Sequence, residues 1–190
     1  KKYGHNYRLN EMQAVLLRGG LLRLEKQTET REKRAKQIRE GLAKIGGPLR
    51  AAYRDPRITR QAYYAMTLYY DPKKAGGVSK QAFAHALAAE GCHLSGPYWP
   101  VYRSPLLNLY DKTSPIPFRD KKLMQDYKNL KMPNTEKCFD ETALLLSHTH
   151  LLGNEEYINQ LLAAVRKVSD NLGDAKRAWE KYQKETKKKA

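Results

Sequence analysis

Apolar side chains recur at spacings of three and four from Leu9 to Ile45, with Met12, Val15, Leu16 and Leu22 on one stripe and Ala35, Ile38, Leu42 and Ile45 continuing it. That periodicity predicts one long helix. Asn10 stands where an N-cap belongs, and Gly46, Gly47 and Pro48 form a firm stop. Gly19 and Gly20 interrupt the stripe at a cost of roughly 1 kcal/mol each relative to Ala, which predicts a kink or a close backbone approach there.

Residues 61–70 read QAYYAMTLYY, and alternation places Tyr64, Met66, Leu68 and Tyr70 on one face of a strand, with Tyr63 and Tyr64 expected in the core. Ser79 caps a second helix through Phe83, Ala86 and Leu87 that stops at Gly91. Residues 92–110 carry Pro97, Pro100 and Pro105, which break any helical ladder. They predict a short strand followed by an ordered loop. Residues 111–138 predict a surface excursion with a helical turn or two around Asp120 to Tyr127. Thr142 to Ser147 is short and apolar, as a buried strand is. Asn154 caps a further helix with Glu155 and Glu156 in its first turn. Its stripe of Tyr157, Leu161, Val165, Val168 and Leu172 faces the core, Gly173 ends it, and a polar helix follows from Asp174 to about Lys184. The order of elements describes an α+β fold, helices packed on a small, largely antiparallel sheet.

Composition narrows the class. The chain has 190 residues, 41% of them hydrophobic, so it has the means to build a core despite a net charge of +16. No apolar run approaches the ~20 residues of a membrane-spanning helix. The N-terminus begins Lys1, Lys2, Tyr3 with neither an initiator Met nor a secretory pattern, so the chain is expected to start within a longer protein. Two cysteines, Cys92 and Cys138, make no disulfide framework and read as reduced cytosolic thiols.

The charge raises the alternative of a noncatalytic basic module that binds nucleic acid. Half of the excess lies in the first fifty residues, where Glu25, Lys26, Glu29, Arg31, Glu32, Lys33 and Arg34 alternate in sign as on the solvated face of a long helix. No zinc-finger spacing or RNA-binding aromatic signature accompanies it, so nucleic acid is the disfavoured partner. His148 and His150 share one face if they lie in a strand, but no third metal ligand follows at suitable spacing. Asp140 and Glu141 are adjacent and face apart, a poor acid/base pair. Phosphate-loop, dinucleotide-binding and nucleophile-elbow motifs are absent.

The specific signal is the opening string YGHNYRLNEMQAVLL followed by LLRLEKQTETREKRAKQIREGL. Together they resemble the segment after the catalytic lysine in the DegT/StrS family of pyridoxal-phosphate sugar aminotransferases. QAYYAMTLYYD at residues 61–71 is similar to that family's small-domain strand, and GVSKQAFAHALAAEGC at 77–92 to its helix-then-strand unit. GPYWPVYRSPLLN at 96–108 looks like its variable substrate loop, in the form seen among glutamine-dependent cyclitol enzymes, and the segment from Met132 to Val168 resembles its closing unit. The likeness covers about Tyr3 to Asn171.

The resemblance implies the C-terminal small domain of a fold-type I enzyme, with residues 1–47 as interface helix, 48–172 as small domain and 173–190 as a basic helical tail. It implies a cytoplasmic homodimer using pyridoxal 5′-phosphate to move an amino group from glutamate or glutamine to a keto-sugar or keto-cyclitol. Asn6, in the NYR motif, is then the residue that reaches across the interface to the phosphate of the neighbour's cofactor. A neutral amide donates to phosphate oxygen without adding charge. Arg8 adds a charge-assisted contact. Without the motif, Asn6 reads as a turn residue before a helix. Tyr98 and Tyr102 line the sugar or cyclitol pocket by resemblance, since a phenol offers a flat apolar face and a hydroxyl; the alternative is that they pack the loop. The Schiff-base Lys and the carboxylate facing the pyridine nitrogen lie upstream of the motif in the family, where this chain has only Lys1 and Lys2. The chain alone is therefore expected to be inactive.

Overall fold

The computed structural model describes residues 7–104, 127 and 129–187. Helix α1 (Glu11–Ile45) starts in a capping box, in which the Gln13 amide donates to Asn10 Oδ1 at 2.9 Å and the Asn10 amide to Gln13 Oε1 at 3.1 Å. It ends at Gly46, whose φ of 67° is the left-handed cap that glycine adopts without strain. The helix is continuous through Gly19 and Gly20. Among the described residues no other element approaches them: a Cβ at Gly20 meets nothing within 4 Å, and one at Gly19 meets the Arg23 guanidinium.

Strands β1 (Leu49–Ala51), β2 (Ala65–Tyr70) and β3 (Ala143–Ser147) form an antiparallel sheet in the order β1-β2-β3, with Leu49 opposite Tyr70 and Leu68 opposite Leu144. The α+β class and the small antiparallel sheet are as the pattern predicts. On β2, Met66, Leu68 and Tyr70 are buried and Thr67 and Tyr69 half-buried on the opposite face, where the Arg50 guanidinium lies 4.7 Å from the Tyr69 ring. Helix α2 (Lys80–Ala89) is capped by Ser79 and helix α4 (Glu155–Asp170) by Asn154, whose Oδ1 accepts from the Tyr157 amide at 2.8 Å. The core joins Ile38 and Leu42 of α1, Phe83 and Leu87 of α2, Leu146 of β3, and Ile158 and Val165 of α4. Tyr70 crosses it to donate to the Val78 carbonyl at 2.8 Å, its ring 5.1 Å from that of Phe83. Helix α5 (Leu172–Lys187) lies against α2, where Trp179 and Tyr182 stack with each other and meet the His85 ring at a tilt.

Several elements differ from the sequence pattern. Strand β1 is only three residues long and carries no alternation of its own; pairing with β2 makes it a strand. Strand β2 begins at Ala65 because Tyr63 has φ 52°, and that left-handed residue breaks the alternation, burying Tyr63 and turning Tyr64 outward. After α2 there is an isolated bridge, Ser95 with Leu145, in place of a strand. The break after α4 falls at Asn171, and Gly173 lies inside α5. The helix α3 (Pro133–Lys137) runs into a single π-helical turn, Cys138–Thr142, which holds Asp140 and Glu141. His150 lies in a 3-10 turn (His150–Leu152) beyond β3, so it shares no strand face with His148. The turn expected around Asp120 lies outside the described residues. Among the described residues no helix is long and apolar enough to cross a membrane, Cys92 and Cys138 are free thiols, and no three metal-ligating side chains cluster.

Candidate functional site

The loop from Gly96 to Arg103 leaves the sheet edge at Ser95, whose backbone exchanges hydrogen bonds with Leu145 at 3.0 and 2.8 Å. Pro97 and Pro100 restrict the backbone between, and a 3-10 turn (Val101–Arg103) closes it. Three side chains then fasten the loop to α3 and the π-turn. Tyr102 donates to Glu136 Oε1 at 2.6 Å, Arg103 forks onto both Asp140 oxygens at 3.1 Å, and the Trp99 ring meets Phe139 edge-on at 5.9 Å. The hydrogen bond from Tyr102, helped by the Met132 amide, holds the Glu136 carboxyl below its ordinary range, while the same bond pushes the Tyr102 phenol up. The carboxylate stays ionised and the phenol stays protonated.

Held this way, the loop presents Tyr98 to solvent with 76% of its surface exposed. Its hydroxyl lies 2.7 Å from that of Tyr64, and this contact pushes the Tyr98 phenol up, so it remains a neutral donor and acceptor. Tyr98 is a shared wall between two clefts. One, of about 280 Å³, is lined by Tyr64, Ser95, Tyr98, Ser147 and His148 among others. The other, of about 310 Å³, lies between Tyr98 and Asn134, Thr135, Cys138 and Phe139. His148 Nδ1 is 3.2 Å from the Tyr64 carbonyl oxygen, which ties the end of β3 to the entrance of β2. The first cleft therefore offers two phenols, two serine hydroxyls and an imidazole around aromatic faces. Such neutral groups donate and accept with hydroxyls, and a phenol ring covers the C–H face of a saturated ring.

Of the residues singled out in the sequence, Tyr98 stands in this arrangement and Tyr102 anchors it from behind through Glu136. Arg8 is exposed just ahead of the capped start of α1, on a different element. Asn6 lies outside the described residues. Sequence reasoning missed Tyr64 and His148 as cleft residues. Alternation assigns Tyr64 to the core, and only the left-handed Tyr63 redirects it; the His148 and His150 spacing draws attention to a metal, not to a backbone carbonyl across the sheet.

Comparison with known proteins places the chain in a family. The chain belongs to the DegT/DnrJ/EryC1/StrS aminotransferase family, whose model matches residues 1–166. A Micromonospora echinospora protein with the provisional name L-glutamine:3-amino-2,3-dideoxy-scyllo-inosose aminotransferase is 31% identical over 181 residues, 93% of this chain and 42% of that protein. The L-glutamine:2-deoxy-scyllo-inosose aminotransferase of the same organism is 28% identical over 170 residues, covering 88% of this chain and 39% of its own length. This chain thus spans about two fifths of the curated relatives it matches. Among solved structures, 3-amino-5-hydroxybenzoic acid synthase superposes with a TM-score of 0.67 at 20% identity, covering 90% of this chain and 41% of that one. Helicobacter pylori PseC, an aminotransferase of pseudaminic acid biosynthesis, gives 0.63 at 18%, with 90% and 40% covered. At these identities the structures speak to the fold.

Proposed function

We propose that this chain is the C-terminal portion of a pyridoxal-phosphate aminotransferase that transfers an amino group from glutamine or glutamate to a keto-cyclitol or keto-sugar. The observation that carries the acceptor class is the hydroxyl-lined cleft beside Tyr98, whose neutral donors and aromatic walls suit a polyhydroxylated six-membered ring. The names of the relatives support the same acceptor and favour glutamine as donor.

The donor chemistry at the start of the chain fits the cofactor's phosphate: an amide at Asn6 and a guanidinium at Arg8 both donate to anionic oxygen. The imine-forming lysine is assigned to a domain outside this chain. Lys80, buried to 6% exposure, is committed to the Phe139 and Ala143 carbonyls. When bound, the cofactor supplies the electron sink that lets the amino group change carriers. This chain's part is to grip the phosphate of a neighbouring subunit's cofactor through Asn6 and Arg8 and to orient the acceptor against Tyr98, with Tyr102 holding the loop. Residues 1–47 serve as the interface helix, 48–172 as the small domain and 173–190 as a helical tail of a cytoplasmic homodimer. Exposed Met12, Val15, Leu16 and Leu22 supply the apolar surface such an interface needs.

The test uses the complete polypeptide with glutamine and 2-deoxy-scyllo-inosose. Tyr98→Phe is expected to raise KM for the ketone while the half-reaction with glutamine keeps its rate. Asn6→Ala is expected to weaken cofactor retention on gel filtration. Residues 1–190 alone are expected not to transaminate. Stoichiometric turnover by that fragment, or a complete enzyme indifferent to both substitutions, overturns the assignment.

A further inference from the structure

Lys80 sits at the first position of α2, 94% of it out of solvent. Its ammonium has neutral partners: it donates to the carbonyl oxygens of Phe139 and, at 3.1 Å, of Ala143. Taking an ammonium out of water for carbonyl oxygens and the Phe139 ring, 5.7 Å away, is costly, and burial accordingly pushes the Lys80 pKa down against the attraction of Asp140. A hydrophobic residue of the same length would avoid that cost. What it would not do is satisfy the Phe139 carbonyl, which the wider turn leaves outside the regular i to i−4 ladder, and the Ala143 carbonyl at the start of β3. Gln81, the next residue, adds a weaker contact from Nε2 to the Asp140 carbonyl at 3.4 Å. The start of α2 therefore grips the backbone of Phe139, Asp140 and Ala143, and this is the turn whose side chains hold the Tyr98 loop through Trp99–Phe139 and Arg103–Asp140.

We propose that Lys80 is a positioning residue for acceptor specificity: by clamping the π-turn Cys138–Thr142 it fixes the height of the loop that carries Tyr98, and so sets the shape of both clefts beside that phenol. Lys80 itself touches neither cleft and acts through Phe139 and Asp140. The inference rests on the reading that these clefts take the keto acceptor, and the experiment separates the two.

In the complete polypeptide, Lys80→Met keeps side-chain length and removes the donors. KM for 2-deoxy-scyllo-inosose is expected to rise about tenfold, the scale at which small misplacements are felt, while KM for glutamine and the rate of the glutamine half-reaction stay within about twofold. Arg103→Met cuts the same chain of contacts one step later and should raise the ketone KM similarly. The double variant should then match the larger single effect, because both act through one element. Should Lys80→Met fail to fold, Lys80→Gln, whose shorter side chain still ends in an amide NH2, is expected to give an intermediate rise in ketone KM. A folded Lys80 variant with wild-type ketone KM, additive effects with Arg103→Met, or equal losses in both half-reactions overturns the proposal. If Tyr98→Phe is silent as well, the acceptor reading fails along with it; if Tyr98→Phe raises ketone KM and the Lys80 variants do not, only the role of Lys80 falls.

Discussion

The two halves of α1 are built to the same periodic rule and meet different fates. From Thr28 onward the stripe is buried, with Ile38 fully enclosed and Ala35 and Leu42 beside it, and Arg34 donates to the Gly153 carbonyl at 3.1 Å. Before Thr28 the stripe is bare: Met12 is 76% exposed and Leu22 82%. The capping box is intact at the exposed end, so helix formation there does not depend on packing within this chain. Apolar periodicity thus reports that a helix has an apolar face, but it is blind to whether anything covers that face.

Substitutions in the two halves should separate accordingly. Ile38→Ala is expected to cost about 2–5 kcal/mol in urea unfolding, as truncations in closed cores do, whereas Leu22→Ser should stay within about 0.5 kcal/mol in this chain and show its effect on association of the complete protein. Equal costs would erase the contrast. Gly41→Val drives a side chain into Leu162, whose Cδ atoms leave no room for a Cβ at position 41, and should cost about 1–3 kcal/mol. Gly20→Ala meets open space and should stabilise this chain by about 1 kcal/mol through helix propensity alone. Loss of that gain in the complete protein would locate a covering surface at Gly20.

The smallest expected effect is on pH. Burial, and then His93, hold the His150 imidazole below its ordinary value of 6.5. Between the folded pKa and 6.5 the unfolded chain binds the proton that the native state refuses, so stability is full above 6.5 and declines as pH falls through that window. Urea midpoints at about pH 7.5 and 5 should differ, and His150→Gln should shrink the difference. Because the turn bearing His150 packs against the buried half of α1, that half should loosen first.

The parts legible in the sequence were those governed by neighbours along the chain. Asn10, Ser79 and Asn154 cap helices because a short polar side chain reaches an amide three residues on, and Gly46 ends α1 because it tolerates a left-handed turn. What escaped depends on partners far away in sequence. Three residues become β1 by facing β2, and Ser95 bridges Leu145 fifty positions on. Tyr64 is a cleft residue through the backbone of Tyr63, and the use of Lys80 becomes visible only once α2 and the π-turn are side by side. Tyr98 was legible as a phenol in a proline-bounded loop, but its pairing with Tyr64 was not.

That one phenol serves as a common partition has a consequence for remodelling this surface. Swinging its ring toward Ser147 enlarges the chamber over Phe139 at the expense of its neighbour, and the reverse swing undoes the exchange. Volume here is traded, so selecting for a bulkier guest on one flank at position 98 alone will tighten the opposite flank, and relief must come from the outer walls at His148 or Asn134.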